Sequence, residues 1–379
     1  MPLLVSLQLT LYALLWMLCG IALKDQRAAI VQWLGYALTS AAAAALLGWR
    51  PDGPVWLTHT ESSAATLLSL ILASRGVLLF LGLRPPDRLF LAIAGAAALG
   101  FAWVGPQDTD ARVAVMAFFN LLVLLGSFSQ AATRFQSEFG ARVSVAATFP
   151  VLALVGMNAY FLLQGLVRGG IDIVGPGAVP VATWVVTLVS AAAFNFLFLF
   201  LVGFRMQQDL RHQASHDATT DLPNRRAAEQ RLQLEWDRSV RYGKPFVVIS
   251  ADVDFFKRIN DQHGHAAGDT VLIAVARALQ NCARETDHVS RFGGEEFLIL
   301  MPEAQAQADG VTMGERLRQA IAGLALDSPA GERMALSASF GVSGWLATDS
   351  SSVDVLRRAD HALYTAKEKG RNCVVLRAE

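Results

Sequence analysis

The sequence predicts an N-terminal all-α transmembrane helix bundle followed by a C-terminal α/β domain, a mixed sheet flanked by helices. Three observations carry that prediction. Up to about Phe204 the chain is dominated by Leu, Ala, Val and Phe, and beyond it the charge density of a soluble domain sets in. Apolar stretches of about twenty residues, enough to cross roughly 30 Å of hydrocarbon, recur through the first half. In the second half short β-branched runs alternate with segments of helical period, and a hairpin interrupts the alternation. At 379 residues the chain is long enough for two domains, and its formal net charge of zero only sums two unlike halves. No basic block marks a nucleic-acid groove, so no nucleic-acid partner is expected.

About seven spans are expected within residues 1–204, approximately Leu3 to Leu23, Ala29 to Trp49, Ala64 to Leu83, Leu89 to Val104, Val113 to Ala132, Val145 to Val167 and Val181 to Phe204. The fourth is the shortest, which leaves six as the alternative. Lys24, Arg27, Arg84, Arg88, Arg134, Arg142, Arg205 and Arg211 fall on one side, and Arg50, Arg112 and Arg168 on the other. The richer side is expected in the cytoplasm, with the N-terminus outside and everything after Phe204 inside. The first run lacks a basic n-region and a small-residue cleavage pattern, so it reads as a span rather than a cleaved signal peptide.

Arg75 sits mid-span, where a charge costs at least a few kcal/mol unless it faces the bundle interior or water; ligand sensing, packing, snorkelling and a hydrogen bond to another helix all fit it. No acidic cluster at membrane depth marks an ion path, which favours sensing or anchoring over transport. Cys19, Cys282 and Cys373 lack metal-ligand spacing and read as free thiols of a reducing compartment. After the last span, residues 205–216 are polar and free of Gly and Pro. Phe204, Met206, Leu210 and Ala214 leave a thin apolar stripe, compatible with a helical stalk that pairs with a second copy or with a solvated linker helix.

In the second half, strands are expected at Pro245 to Asp254, His288 to Phe292, Phe297 to Met301, Met334 to Trp345 and Asn372 to Leu376, with helices at Gly268 to Arg284 and Val353 to Lys369. Gly293-Gly294-Glu295-Glu296 joins two of the strands. The glycines permit positive φ and leave no side chain in the way, so the turn can approach a bulky anion such as phosphate. Two adjacent glutamates would repel each other and that anion unless a divalent cation binds them together with phosphate oxygens. Asp252 and Asp254, at the end of the buried strand, supply a second carboxylate pair. The four-residue string by itself is as readily a solvated hairpin tip.

The wider set of motifs is far more specific. A-D-V-D-F-F-K-R-I-N-D-Q-H-G-H-A-A-G-D-T-V-L (residues 251–272), R-E-T-D (284–287), G-G-E-E-F (293–297), R-A-D-H-A-L-Y-T-A-K-E-K-G-R-N (358–372) and the lead-in H-D-A-T-T-D-L-P-N-R-R (216–226) occur in order. Together they resemble the GGDEF family of diguanylate cyclases, whose fold is the palm-like one of nucleotidyl cyclases. The resemblance spans Asp217 to Leu376, so the domain is expected over residues 217–379, with no phosphodiesterase domain after it. It implies a bacterial inner-membrane signalling protein that condenses two GTP into cyclic di-GMP and two pyrophosphates, each subunit of a homodimer presenting one GTP.

By position, the resemblance implies that Asp252, the carbonyl of Val253 and Glu295 hold Mg²⁺, with Mn²⁺ as a substitute. Glu295 would accept the proton of the attacking hydroxyl, and Glu296 is the adjacent family glutamate, facing the other way if the strand is regular. Lys257 would stabilise phosphate charge, Asn260 and Asp269 would read guanine, Phe256 would line the nucleotide pocket, and Lys367 and Arg371 would grip the triphosphate. Arg284 and Asp287 would form an inhibitory product site, with Arg316 or Arg318 as the second protomer's contribution. Plainer roles compete: Asn260 and Asp261 could cap a turn, Lys367 and Arg371 could be a solvated helix face, and Arg284 and Asp287 an i,i+3 ion pair. His263 and His265 lack a third ligand and are not read as a metal pair. The departures are Thr220-Asp221, where Thr-Gly is common, and Glu295 at the first acidic position. A domain that only binds nucleotide would go with loss of Asp252, Glu295 or Lys257, and all are present.

Overall fold

The computed structural model describes residues 1–50, 52–105, 107–167, 177–327 and 333–378; Arg168, counted above among the basic loop residues, lies outside them. The chain divides into two compact units, Met1–Arg205 and Met206–Glu379.

Among the described residues, the first unit is built from α1 (Pro2–Ala22), α2 (Arg27–Gly48), α3 (Ser62–Phe80), α4 (Asp87–Val104), α5 (Thr109–Leu166) and α6 (Ala178–Ser215), the last running past the boundary. Six helices are thus long and apolar enough to cross a membrane, against the seven expected segments. The difference lies in α5, whose 58 residues would reach about 87 Å if straight. They do not run straight. Gly140 leaves the helix at φ 80 and ψ 167, and the Asn120 side chain donates from Nδ2 to Asn158 Oδ1 at 3.0 Å. A Cβ on Gly165 would come within 2.7 Å of the Asp110 carbonyl oxygen, so glycine is what allows that approach. The arms 109–139 and 141–166 therefore fold back on each other, and each expected apolar segment falls on a helix or on one arm of α5.

The core of this unit is aromatic. Trp33 stacks at 4.9 Å from Trp16 and 4.8 Å from Phe198, ring centre to ring centre. At one end, the Arg205 guanidinium bonds to Glu138 and to the Phe80 carbonyl, and lies 3.8 Å over the Phe80 ring. Asp25, Gly82 and Arg134 border the same depression. The connections after α1 and α3, the α5 bend and the residue-205 end of α6 thus share one end, as the Lys and Arg distribution expects.

Arg75 takes one of its expected roles, bonded to another helix, and Arg112 departs from expectation. Arg75 is not alone at mid-span: its Nε lies 3.0 Å from Oδ1 of Asp87, the first residue of α4, in a partly exposed pair. Arg112 is not a loop residue. It lies in the first turn of α5, 1% exposed, and donates from Nη1 to the Gly105 carbonyl at 2.9 Å.

The second unit contains α7 (Arg225–Tyr242), β1 (Phe246–Val253), α8 (Phe256–His263), α9 (His265–Cys282), β2 (His288–Arg291), β3 (Glu296–Pro302), α10 (Val311–Ala322), β4 (Leu326–Asp327), β5 (Arg333–Met334), β6 (Ala338–Gly344), α11 (Ser352–Glu368) and β7 (Val374–Leu376). Its main sheet has the order β2-β3-β1-β6-β7. Only β6 and β7 pair in parallel, so the sheet is mixed. Every residue of β1 is buried, because helices cover both faces. Val247, Ile249 and Ala251 pack with Val271, Val275 and Leu279 of α9. The alternate residues Phe246 and Val248 pack with Leu232 of α7 and Val355 and Ala359 of α11.

The expected strand from Met334 to Trp345 is broken between β5 and β6. At the break Asp254 N donates to the Ser337 carbonyl at 2.9 Å, and Ser337 Oγ donates to Asp254 Oδ2 at 2.7 Å. That segment is spent on the carboxylate instead of on the ladder. The helices α7 and α10 and the strand β4 carried no sequence expectation.

Candidate active site

Strand pairing alone assembles the acidic centre. β1 runs out at Val253 beside the β2–β3 hairpin, with Asp252 opposite Glu296 in register, and Val253 N donates to the Glu295 carbonyl at 3.2 Å. From the last turn of α11, Lys367 places Nζ 2.7 Å from Asp252 Oδ2. Burial pushes the Asp252 carboxyl above the ordinary range against the pull of Lys367, and the negative charge of Asp254 adds to the rise. Burial, and then the charge of Asp252, push Glu295 up as well. Two carboxylates with a common upward shift and one lysine between them form a site short of positive charge. The donors are all hard oxygens: two carboxylates and the neighbouring Val253 carbonyl. Such a set fits Mg²⁺ or Mn²⁺, which take one or two carboxylates and complete their shell with water and phosphate oxygens. Among the described residues no group of three or more His, Cys, Asp or Glu is gathered to hold an ion, here or elsewhere, so the set at this strand end is two carboxylates and a carbonyl.

The glycine turn works through its size and not through left-handed backbone, for neither Gly293 nor Gly294 has positive φ. Glu296 bends its carboxylate back to within 2.5 Å of where a Gly293 Cβ would stand. Glu295 lies in the turn before β3, outside regular alternation, so the expected opposition of the two glutamates across a strand does not govern it. The turn is clamped by Arg291, which donates to the Gly294 carbonyl from Nε at 3.1 Å and Nη2 at 2.6 Å. The same guanidinium pairs through Nη1 with Asp217 Oδ1 at 2.6 Å. Asp217 also accepts from Thr220 N and Thr220 Oγ1. Burial pushes Asp217 up, but the Arg291 and Thr220 hydrogen bonds outweigh it and leave the carboxyl below its usual range. The lead-in is thereby tied to the hairpin. Arg291 carried no sequence expectation; its only signal is a basic residue two positions before the glycine pair. The lead-in turn forms with Asp221 where glycine is common. Asp221 takes the left-handed conformation at φ 59, and its Oδ1 lies 2.7 Å from His212 Nε2.

Asp254 does not join Asp252 as a metal-facing pair. It is 4% exposed and already accepts from Ser337 Oγ at 2.7 Å, Ser339 Oγ at 2.7 Å and Asn372 N at 3.0 Å. Those bonds hold the turn after α11, where Arg371 and Asn372 are both left-handed at φ 65 and 46. The Arg371 guanidinium rests 4.6 Å over the ring of Phe255, itself left-handed and exposed. Phe256 turns into the core at 8% exposure, and the open ring here is Phe255.

On the other side of Phe256, a Cβ on Gly268 would meet Asn260 Oδ1 at 1.9 Å and the Phe256 ring at 3.1 Å. Only glycine at 268 allows this contact, and it seats Asn260 against the residue before Asp269. Asn260 Oδ1 is buried and accepts no hydrogen bond among the described residues, while Asp269 and Lys257 are exposed. An acceptor without a donor beside a free carboxylate can take the N–H edge of a base.

Arg284 and Asp287 do not form the i,i+3 ion pair. Asp287 Oδ2 accepts from Arg284 N at 2.8 Å and Asp287 N donates to Arg284 O at 3.0 Å, a closed turn with the Arg284 side chain exposed. Arg316 donates to the carbonyl of nearby Cys282. Arg318 instead pairs with Glu315 and with Asn372 Oδ1.

A solved structure of the coiled coil and GGDEF domain of DgcB from Caulobacter crescentus, in complex with c-di-GMP, is 28% identical to this chain; it covers 50% of this chain and 100% of that one at a TM-score of 0.47. Among curated proteins, the diguanylate cyclase DgcP of Pseudomonas aeruginosa is 41% identical over 165 residues, 44% of this chain and 24% of that protein. The diguanylate cyclase DgcM of Escherichia coli K12 is 35% identical over 171 residues, 45% of this chain and 40% of that protein. The chain therefore spans less than half the length of these two curated relatives. Residues 214–373 match the family described as diguanylate cyclase, GGDEF domain. With the mixed sheet and the ordered motifs at the same positions, residues 214–373 of this chain are a GGDEF domain.

Proposed function

We propose that this chain is a membrane-bound diguanylate cyclase, acting as a homodimer on two GTP molecules, with its N-terminal unit spanning a bacterial inner membrane, N-terminus outside. The single observation that carries the catalytic reading is the meeting of Asp252, Val253 and Glu295 beside Lys367 at the end of the central strand. The names and identities of the curated relatives support it. When bound, Mg²⁺ or Mn²⁺ supplies charge neutralisation at the phosphates and favours ionisation of the attacking hydroxyl.

The chain's own residues do the rest. Asn260 and Asp269 accept from the N–H edge of guanine, which selects GTP over ATP. Lys367 leaves Asp252 for the triphosphate, Arg371 joins it there, and Lys257 meets the charge that builds on the transferring phosphate. The 3′-oxygen of one GTP bonds to the α-phosphorus of the other, the bond to the β-phosphate oxygen breaks, and the 3′ proton passes to Glu295, whose raised basicity suits it to the task. Two such steps form cyclic di-GMP and release two pyrophosphates. Glu296 braces the turn over Gly293, and Phe256 supports the base from the core side. The free Arg284 guanidinium and the Asp287 turn bind product and restrain the enzyme.

Purified full-length protein in detergent, given GTP and Mg²⁺, is expected to form cyclic di-GMP and pyrophosphate in a 1:2 ratio, and Glu295→Ala or Asp252→Ala to abolish it. A folded, dimeric wild type that makes no product would contradict the reading.

A further inference from the structure

The N-terminal unit holds a cavity of about 540 Å³, within the range of small-molecule sites. It is bounded by both arms of α5 and by α1, α2, α3 and α6; Leu124, Phe128, Met157, Trp184 and Phe194 give it an apolar wall. Polar side chains also reach the lining, and most are already satisfied: the Ser62, Ser63 and Thr66 hydroxyls donate to carbonyls one turn back on their own helix. Asn120 and Ser127, both on the first arm of α5, are different: Asn120 Oδ1 and Ser127 Oγ are buried without a partner among the described residues.

Three asparagines in this unit are buried: Asn120, Asn158 and Asn195. Asn195 accepts from Trp16 Nε1 at 2.6 Å and donates to Ala191 O at 2.7 Å. Asn158 accepts from Asn120 and donates to Leu154 O at 2.8 Å. Asn120, 4% exposed and on the cavity lining, spends its amide nitrogen on Asn158, and its Oδ1 accepts nothing among the described residues. Turning its amide over would set oxygen against Asn158 Oδ1, so the orientation is fixed by its neighbours. A buried amide oxygen with no donor costs free energy unless something supplies one.

We propose that this cavity is a binding site for a neutral amphiphile, a hydrocarbon body carrying a single hydroxyl or N–H that donates to Asn120 Oδ1. An apolar wall selects the body, and the unpartnered Asn120 oxygen, with the Ser127 hydroxyl two turns further along the same arm, selects the head. An anion is disfavoured at this head position, because its oxygens would face the oxygen of Asn120, and Arg50, the charged residue on the lining, is already engaged. The same chemistry is offered by a free single-chain alcohol and by a bilayer lipid with a free hydroxyl.

The test uses full-length protein in phosphatidylcholine nanodiscs, since that headgroup has neither O–H nor N–H to donate. A diazirine-bearing dodecanol is photolysed and the labelled peptides are mapped. Label is expected on residues 116–128 and 150–158, and 1-decanol is expected to displace it at a tenth or less of the membrane concentration needed by n-decane. Displacement by 1,2-dioleoylglycerol and not by 1-decanol would assign the site to a bilayer lipid with the same donor. Asn120→Leu should erase the tenfold gap. Because Asn120 also ties the two arms of α5, Ala73→Phe serves as a second variant that fills the cavity, keeps Asn120 and should abolish labelling. Equal displacement by decane and both donors, or label confined to the outer bundle surface, would overturn the site and leave water as the partner of Asn120.

Discussion

Asp252 and Asp254 lie two residues apart at the end of one strand, both nearly out of solvent at 6% and 4% exposure, yet the regions around them are built differently. Around Asp254 two serine hydroxyls and a backbone amide converge from β6 and from the turn after α11. Around Asp252 there is one lysine and a second carboxylate, Glu295, that it pushes up. A buried charge whose donors are all supplied acts as a structural tie. A buried charge left with one movable cation and a like-charged neighbour is poised to take a metal ion.

The largest expected effect separates the two. Asp252→Ala or Glu295→Ala should lower cyclic di-GMP formation by about 10³-fold, the scale of losing a preorganised electrostatic group, with little change in the thermal midpoint of the metal-free protein. Asp254→Ala should do the reverse. Breaking its network should cost roughly 3 kcal/mol, a drop of roughly 6–12 °C in midpoint for a domain of this size, seen by differential scanning calorimetry. If Asp254→Ala melted normally while losing metal affinity, the two carboxylates would have exchanged roles.

A third carboxylate sharpens the contrast. Asp287 is occupied by the Arg284 amide, so Arg284→Ala keeps the turn and removes only the guanidinium. Product inhibition curves should shift by about tenfold, near the 1.4 kcal/mol worth of one charge-assisted contact, and an unshifted curve would make R-E-T-D a surface turn.

The smallest effects are those of pH. Asp252 and Glu295 lie above the ordinary carboxylate range, so the stability they lend when protonated is lost as pH rises through their raised values. Their charge is a cost at neutral pH, and Mg²⁺-induced stabilisation should grow as pH rises through that window and vanish below it. Asp217 runs the other way. Its lowered value means that its pairing stabilises above the usual carboxylate range and is lost as pH falls through the folded value. Arg291→Ala should flatten that acid limb in a series of melting curves, whereas a limb left intact would place the acid sensitivity elsewhere.

Much of this was legible in the sequence. The continuous apolar run of β1 and the glycine-tipped hairpin led to Asp252 and Glu295, because local pattern fixes a strand end and a turn, whereas Lys367 and Asn260 were implied by the family resemblance. What was not legible depends on distant chain segments. Arg291 and Asp217 are 74 residues apart, and nothing periodic links them. The diversion of Ser337 to Asp254 broke a strand that β-propensity would have continued. The α5 fold-back was expected as a break between the fifth and sixth apolar segments; the residues that make it, Gly140 and the close approach at Gly165, carry no hydropathy signal. The glycine pair was recognised for two properties, of which the missing side chain holds and positive φ does not.

The most direct measurement is a crystal structure of the protein with Mn²⁺ and a non-hydrolysable GTP analogue, with the ion located by anomalous scattering. The account predicts an Mn²⁺ peak bounded by Asp252, the Val253 carbonyl and Glu295, with Lys367 moved from Asp252 to the triphosphate. An intact Lys367–Asp252 pair beside a bound nucleotide, with Mn²⁺ elsewhere, would contradict it.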